Sequence, residues 1–445
     1  MDTFVIDGGI PLKGDITVAG AKNVAVKALF ASLLTDDPLT LSNVPHIRDV
    51  TMLIELLGQM GLRVTHEDHV VRVTDGGIRD TTVPLDLGAR LRTSSMIIGP
   101  LLARYGHAKI PNPGGCRIGA RPIDRHIEAL KSMGAEISYK SDDGYFYATT
   151  SGLHGATVSF PKNTHTGTET VLLAAVLADG ETVIQNAAQE VEVDNLILLL
   201  NNMGAKVKRT APREITISGV KKLHGTDFRI MPDRNEEITF AIAAAMTNGT
   251  ITVRESSRES IGAFLDVFRQ VGGNVEPVSA SVTRYSLGSP IKPADVVTTA
   301  HPGFMTDWQG PWAVMMTQAA GKSTIHETVF ESRFSYVSEL RKMGAKIEFF
   351  DPVVPDPEQF YNFNWQDRVA DYHQAIAISG PTTLHNAVLE MNDLRAGATL
   401  VLAALTAKGK SFIHGVDQID RGYERIEERL NALGARVSRI SEDHE

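Results

Sequence analysis

The sequence predicts an α/β protein of two domains, built from six copies of one supersecondary unit, three to a domain. Three observations lead there. A glycine recurs at the end of an amphipathic segment, in Met60-Gly61-Leu62, Met133-Gly134-Ala135, Met203-Gly204-Ala205, Val271-Gly272-Gly273, Met343-Gly344-Ala345 and Leu433-Gly434-Ala435. The interval is 68 to 73 residues up to the fifth copy and 90 before the sixth, and a steady period of this size marks a repeated unit. Each copy also holds a helix that is apolar nearly all round, clearest in Val171-Leu172-Leu173-Ala174-Ala175-Val176-Leu177 and Ala241-Ile242-Ala243-Ala244-Ala245-Met246. Such a helix belongs inside a core. Finally, 445 residues exceed what one core ordinarily serves, so two domains are expected.

In chain order, the head 1–20 alternates like a strand pair, with Phe4 and Ile6 and then Ile16 and Val18 on one side. The units follow at 29–64, 97–137, 171–207, 240–275, 312–349 and 400–437. The fifth shows the order of parts. Trp312-Ala313-Val314-Met315-Met316 opens the apolar helix and Ala320-Gly321-Lys322 ends it. Ser323 to Val329 is a short strand and its exit. The segment 336–343 is an amphipathic helix with Val337, Leu340 and Met343 on one stripe; Gly344 caps it, and 345–349 alternates as a strand. The Met-Gly helices keep one polar face and are expected outside the core, against sheets. An insertion at about 351–371, rich in Pro, Asn and aromatics, accounts for the long last interval. The seam between the third and fourth units falls near 228–233.

The balance of 53 acidic residues against 44 Lys and Arg, a net charge of −9, argues against a general nucleic-acid binder. One cysteine excludes an intrachain disulfide framework and fits a reducing compartment. Met1 to Asp7 shows no basic region followed by an apolar one, and no apolar run approaches the roughly 18 residues of a membrane span. The expectation is a soluble cytoplasmic protein with neither nucleic-acid nor membrane partners.

That cysteine lies in Pro113-Gly114-Gly115-Cys116-Arg117-Ile118-Gly119-Ala120-Arg121-Pro122. Three glycines and two prolines make this a loop. Pro122 suits a helix's first turn, which puts Arg121 where that helix begins. Positive charge favours thiolate over thiol. A lone cysteine is often a small buried hydrophobe, but a Gly-rich, Arg-flanked loop points to a reactive thiol.

Cations recur where helices are expected to begin: Lys22, Arg92, Arg121, Arg333, Arg395 and Arg421. A helix N-terminus is already electropositive, so each costs about 0.3–1 kcal/mol unless an anion is present. Six such placements in a repeat point to a polyanionic ligand held by helix N-termini of both domains. The third unit departs, with Glu190, Glu192 and Asp194. Asp307 and Asp393 each stand at a helix start, where an Asp serves as a cap or, beside arginines, as a general base. His126 is expected to make a structural hydrogen bond. No Cys/His cluster has zinc spacing, and no Walker loop or Gly-x-Gly-x-x-Gly fingerprint follows a strand, so no metal or organic cofactor is expected.

With these residues placed, the chain resembles the UDP-N-acetylglucosamine 1-carboxyvinyltransferases, a family of enolpyruvyl transferases, almost end to end. The resemblance is carried by Gly20-Ala21-Lys22-Asn23, the Pro113–Pro122 loop, the segment 196–205, Met231-Pro232-Asp233-Arg234, His301-Pro302 with Thr306-Asp307, Glu327-Thr328-Val329-Phe330-Glu331, Asp393-Leu394-Arg395-Ala396 and Ile419-Asp420-Arg421-Gly422-Tyr423-Glu424-Arg425. It implies two inside-out α/β barrels of three units each, with domains 22–231 and 1–21 plus 232–445 and the active site in the cleft. The implied reaction moves enolpyruvyl from phosphoenolpyruvate to the 3-hydroxyl of UDP-N-acetylglucosamine, releasing phosphate, as the first committed step of peptidoglycan precursor synthesis.

The resemblance also implies roles. Cys116 is the proton donor and forms an adduct with phosphoenolpyruvate. Lys22, Asn23, Arg121 and Arg395 or Arg421 hold the phosphoenolpyruvate anions, with Lys22 and Arg421 counted among the catalytic groups. Asp307 meets the sugar hydroxyl as candidate base. Asn23, Arg92, Arg121, Pro122, Ile123 and Asp124 line the sugar-nucleotide side, as do Arg125, Lys162, Thr164, Val329 and Arg333. Positioning two substrates and stabilising developing charge needs no metal.

The chain departs from the family in four places. Thr164-His165-Thr166-Gly167-Thr168-Glu169 stands where Ser-x-Gly-Ala-Thr is usual, and Thr166 lacks the conformational freedom of Gly. Ser332 replaces an Asn before Arg333, Asp417-Gln418 precede the Ile419 segment where His is common, and 351–371 is inserted. Rival readings are an enzyme making 5-enolpyruvylshikimate 3-phosphate, an enolpyruvyl transferase for another uridine nucleotide in secondary metabolism, and a non-catalytic sugar-nucleotide-binding regulator. The first lacks the cysteine loop and normally opens Gly-Ser-Lys-Ser. The last has no use for Cys116, Asp307, Lys22 and Arg421.

Overall fold

The computed structural model describes residues 2–74, 78–113 and 123–441. They fall into two compact units, one within 20–231 and one made of 2–19 with 232–441. Each has its own core and three sheets.

The first five copies of the repeat run in one order: central helix, strand, amphipathic helix, strand, returning strand. The central helices are Lys22–Ala31, Ile98–Tyr105 and His165–Ala175 in one unit, and Arg234–Met246, Gln309–Met316 and Leu394–Thr406 in the other. Arg234–Met246 is buried along its whole length. A helix without a polar face has no favourable place at the surface, so the three helices of a unit form its centre and the sheets wrap them. This is the inside-out arrangement. Close approach is built in: a Cβ at Gly99 would lie 2.7 Å from the carbonyl oxygen of Thr170 on the facing helix. The amphipathic helices, such as Arg48–Gln59 and Gly262–Gln270, bury one stripe and leave the other wet.

Among the described residues, five sheets have four strands and one has three. In the fourth copy Gly273–Ser279, Val282–Leu287 and Thr250–Arg254 are antiparallel neighbours, and Lys13–Thr17 adds a parallel edge. Among the described residues, the sixth copy has no returning strand after Val437–Ser441. Asp2–Gly8 takes that place, antiparallel to both Gly409–His414 and Val437–Ser441. The two head strands therefore pair elsewhere and not with each other. They complete two different sheets of the 232–441 unit, because each sheet had a backbone edge to satisfy. The insertion carries a short helix, Pro357–Phe360, and lies between the strands Lys346–Phe350 and Ala375–Gly380.

All six repeat glycines take positive φ, from +93° to +117°. At Gly344 the value is +93°, and an added Cβ would lie 3.2 Å from the His385 ring. Gly344→Ala is expected to destabilise by about 1–2 kcal/mol. Gly58→Ala, inside the Arg48–Gln59 helix with open space around it, is expected to be neutral or stabilising by up to about 1 kcal/mol. Thermal unfolding of both variants checks the contrast.

Candidate functional site

In the 232–441 unit, two aspartates that look alike in sequence do different things. Asp393 is a helix cap. Its Oδ1 accepts from the backbone N–H of Arg395 at 2.9 Å and of Ala396 at 3.0 Å, and its Oδ2 accepts from Ser335 at 2.8 Å. Asp307 caps nothing. It lies in the 3₁₀ turn Thr306–Trp308, and its carboxylate oxygens pair with Arg333 and with Arg395, the latter at 3.3 Å. Burial pushes this carboxyl up, but the charges of Arg395 and then Arg333 outweigh it and hold it well below the usual carboxylate range. Paired in this way, Asp307 is a weak base.

Beneath this cluster sits Glu327, 1% exposed. Its Oε2 accepts from Thr306 at 2.8 Å and from Gln309 at 3.3 Å, and its Oε1 from the N–H groups of Val329 at 2.7 Å and Phe330 at 3.0 Å. Burial raises its carboxyl despite these donors and the charge of Arg333. One side chain thus ties the turn bearing Asp307 to the turn bearing Val329. Arg234, the first residue of its helix and 1% exposed, donates to the Ser260 carbonyl at 3.0 Å and contacts His301 Nδ1 at 2.9 Å. Arg421 does not open a helix. It ends the 3₁₀ segment Val416–Arg421, and the next helix starts at Ile426, because Gly422 interrupts the run.

In the 20–231 unit, Lys22 is the first residue of its helix, with Asn23 next, and Lys22 Nζ lies 2.8 Å from Asp49. Arg92 starts the 3₁₀ segment Arg92–Ile97 that leads into Ile98–Tyr105. Ile123 is the cap position of Asp124–Ser132. Arg125 donates to the Asn163 carbonyl at 3.3 Å, and burial lowers its pKa. His126 Nε2 meets the Thr166 hydroxyl at 2.9 Å. Burial, helped by the charge of Arg92, pushes this imidazole down to about 3, so it is neutral and structural. These contacts hold 123–126 against the segment that follows Lys162. Thr164 caps His165–Ala175 by accepting from Gly167 N–H at 3.1 Å. Thr166 lies inside that helix with no left-handed backbone, so the absence of glycine there brings no strain. Cys116, Arg121 and Pro122 lie outside the described residues.

Aligning the copies by structure shows what the sequence reading missed. The six central helices open on Lys22, Arg92, His165, Arg234, the Asp307 turn and Arg395. His165 and Arg234 were legible only by writing the six helix starts beneath one another. His165 pairs with Glu169 one turn on, and Glu169 with Lys27 of another helix; that second partner left no local signal.

Among the described residues no helix is long and apolar enough to cross a membrane, and no group of three or more His, Cys, Asp or Glu is arranged to hold a metal ion. The family model described as EPSP synthase (3-phosphoshikimate 1-carboxyvinyltransferase) matches residues 6–430. A UDP-N-acetylglucosamine 1-carboxyvinyltransferase of Magnetococcus marinus is 43% identical over 99% of this chain and 100% of its own length. One of Acidobacterium capsulatum is 41% identical over 99% and 96%. Among solved structures, the enolpyruvyl transferase NikO from Streptomyces tendae superposes with a TM-score of 0.85 at 22% identity, covering 99% of both chains. EPSP synthase from Acinetobacter baumannii does so at 0.74 and 19%, covering 99% of this chain and 100% of its own. The structural likenesses speak for the fold; the end-to-end identity speaks for kinship. The chain belongs to the EPSP synthase family, among its UDP-N-acetylglucosamine 1-carboxyvinyltransferases.

Proposed function

We propose that this protein transfers the enolpyruvyl group of phosphoenolpyruvate to the 3-hydroxyl of UDP-N-acetylglucosamine, releasing phosphate, in peptidoglycan precursor synthesis. The observation that carries the reading is Asp307 held between Arg333 and Arg395, in a chain 43% identical from end to end to a protein of that name. The two units act as its domains, with the boundary near 231–232. Lys22, Asn23, Arg121 and Arg395 or Arg421 take the phosphoenolpyruvate anions. Arg92, Ile123, Asp124, Arg125, Lys162, Thr164, Val329 and Arg333 serve the acceptor.

A carbon–oxygen bond forms between the sugar hydroxyl and the substituted vinyl carbon, and the bond from that carbon to the phosphate oxygen breaks. The hydroxyl must lose a proton, and Asp307 is the acceptor. Cys116 supplies a proton to the vinyl methylene carbon, giving a tetrahedral adduct; loss of a proton from the resulting methyl group restores the double bond as phosphate leaves. Phosphoenolpyruvate relieves the pairing that keeps Asp307 weakly basic, because its charges compete for Arg395; its binding thus turns the base on. The test is phosphate release from phosphoenolpyruvate with and without UDP-N-acetylglucosamine. Release that requires the acceptor supports the reading. Absence of release rejects it, and binding without turnover favours the regulator.

A further inference from the structure

His165 is the member of the helix-start series whose charge depends on its neighbours. Its Nε2 lies 3.1 Å from Glu169 Oε1, one helical turn on, and Glu169 Oε2 lies 3.2 Å from Lys27 Nζ. Lys27 comes from the Lys22–Ala31 helix, among Val24, Ala25 and Ala28, which are all buried. The side chains of Lys27 and Glu169 are 3% and 0% exposed, whereas 24% of the His165 side chain reaches solvent. Charges this deep are costly, and apolar residues of similar size would generally serve stability as well or better. The triad therefore calls for a role at its exposed end.

We propose that Lys27 and Glu169 are positioning residues that hold His165, at the start of its helix, as a further contact for the phosphate groups of the sugar-nucleotide acceptor. This rests on the acceptor reading above, which assigns Lys162 and Thr164 of the same segment to that substrate. The charged groups facing the imidazole are Glu169 on its own helix, Lys27 from the neighbouring helix and Glu190 from the turn before Val191–Asn202. Burial lowers the pKa of His165 and Lys27 adds to that, but Glu169, by charge and hydrogen bond, and Glu190 carry it above the ordinary histidine value. His165 is therefore cationic below that raised value and loses its charge as pH rises through it.

Calorimetric titration with UDP-N-acetylglucosamine, and separately with phosphoenolpyruvate, tests this on the full chain. His165→Gln is expected to weaken the sugar nucleotide about 10-fold and phosphoenolpyruvate less than twofold. Wild-type affinity for the sugar nucleotide is expected to fall as pH rises through the raised histidine value, and the variant's to stay flatter. Removing both buried charges in Lys27→Met/Glu169→Gln leaves no unpaired ion, so the melting temperature is expected to hold while acceptor affinity falls as in His165→Gln. A variant that binds the acceptor as the wild type does, with the same pH slope, overturns the inference. So does a well-folded double variant with wild-type acceptor affinity, which would make the triad structural. If the wild type fails to bind UDP-N-acetylglucosamine, the acceptor reading falls first and this inference with it.

Discussion

Asp307→Asn is expected to lower phosphate release by on the order of 10³-fold and to lower stability at neutral pH. The amide keeps the shape of the carboxyl and removes its charge. Arg333 and Arg395, whose side chains are 7% and 12% exposed, then face each other's positive charge without the carboxylate between them. Stripping one partner from a buried ion pair costs about 3–5 kcal/mol. The pH dependence has a definite sign. The folded-state pKa of Asp307 is depressed below its ordinary 3.8, so its stabilisation is complete above that value and is lost as pH falls through the folded-state one. The stability gap between wild type and variant is therefore expected to be constant from neutral pH down to about pH 4 and to close in stronger acid. Phosphoenolpyruvate provides a second readout: the arginines released in the variant take its charges, so the ligand is expected to raise the variant's melting temperature at least as much as the wild type's. A variant with wild-type turnover and stability would remove Asp307 from the centre of the site.

Cys116→Ala is expected to abolish the covalent adduct with phosphoenolpyruvate and to lower phosphate release by about 10²–10⁴-fold, the range for a lost general acid. Binding of UDP-N-acetylglucosamine is expected to persist. The thiol is the chain's one cysteine, so intact-mass spectrometry after incubation with phosphoenolpyruvate reads the adduct without ambiguity of site. Sensitivity to fosfomycin-type epoxides is expected to vanish with it. An alkylated or adduct-bearing variant would assign the chemistry to another side chain.

The glycine period was enough to count the units, since a helix that must reverse within one residue needs the left-handed conformation that glycine adopts most easily. Apolar runs without a polar face were enough to put six helices inside. Both signals are local, as is an arginine written next to a helix start, and all of them could be read along the chain. The sequence left three things open. Asp307 and Asp393 both precede apolar helices, and the choice between cap and ion pair turned on whether distant arginines arrived. The N-terminal strands had to pair somewhere, and the chain alone did not say that the unpaired edges of two separate sheets would claim them. Lys27 and Glu169 have no meaning apart, being 142 positions from each other along the chain, and became a pair when two central helices packed side by side. Backbone geometry repeats within a turn or a pleat and so leaves a pattern in neighbouring residues. The partner of a buried charge is chosen by the packing of whole helices, and no stretch of sequence shorter than the domain records that choice.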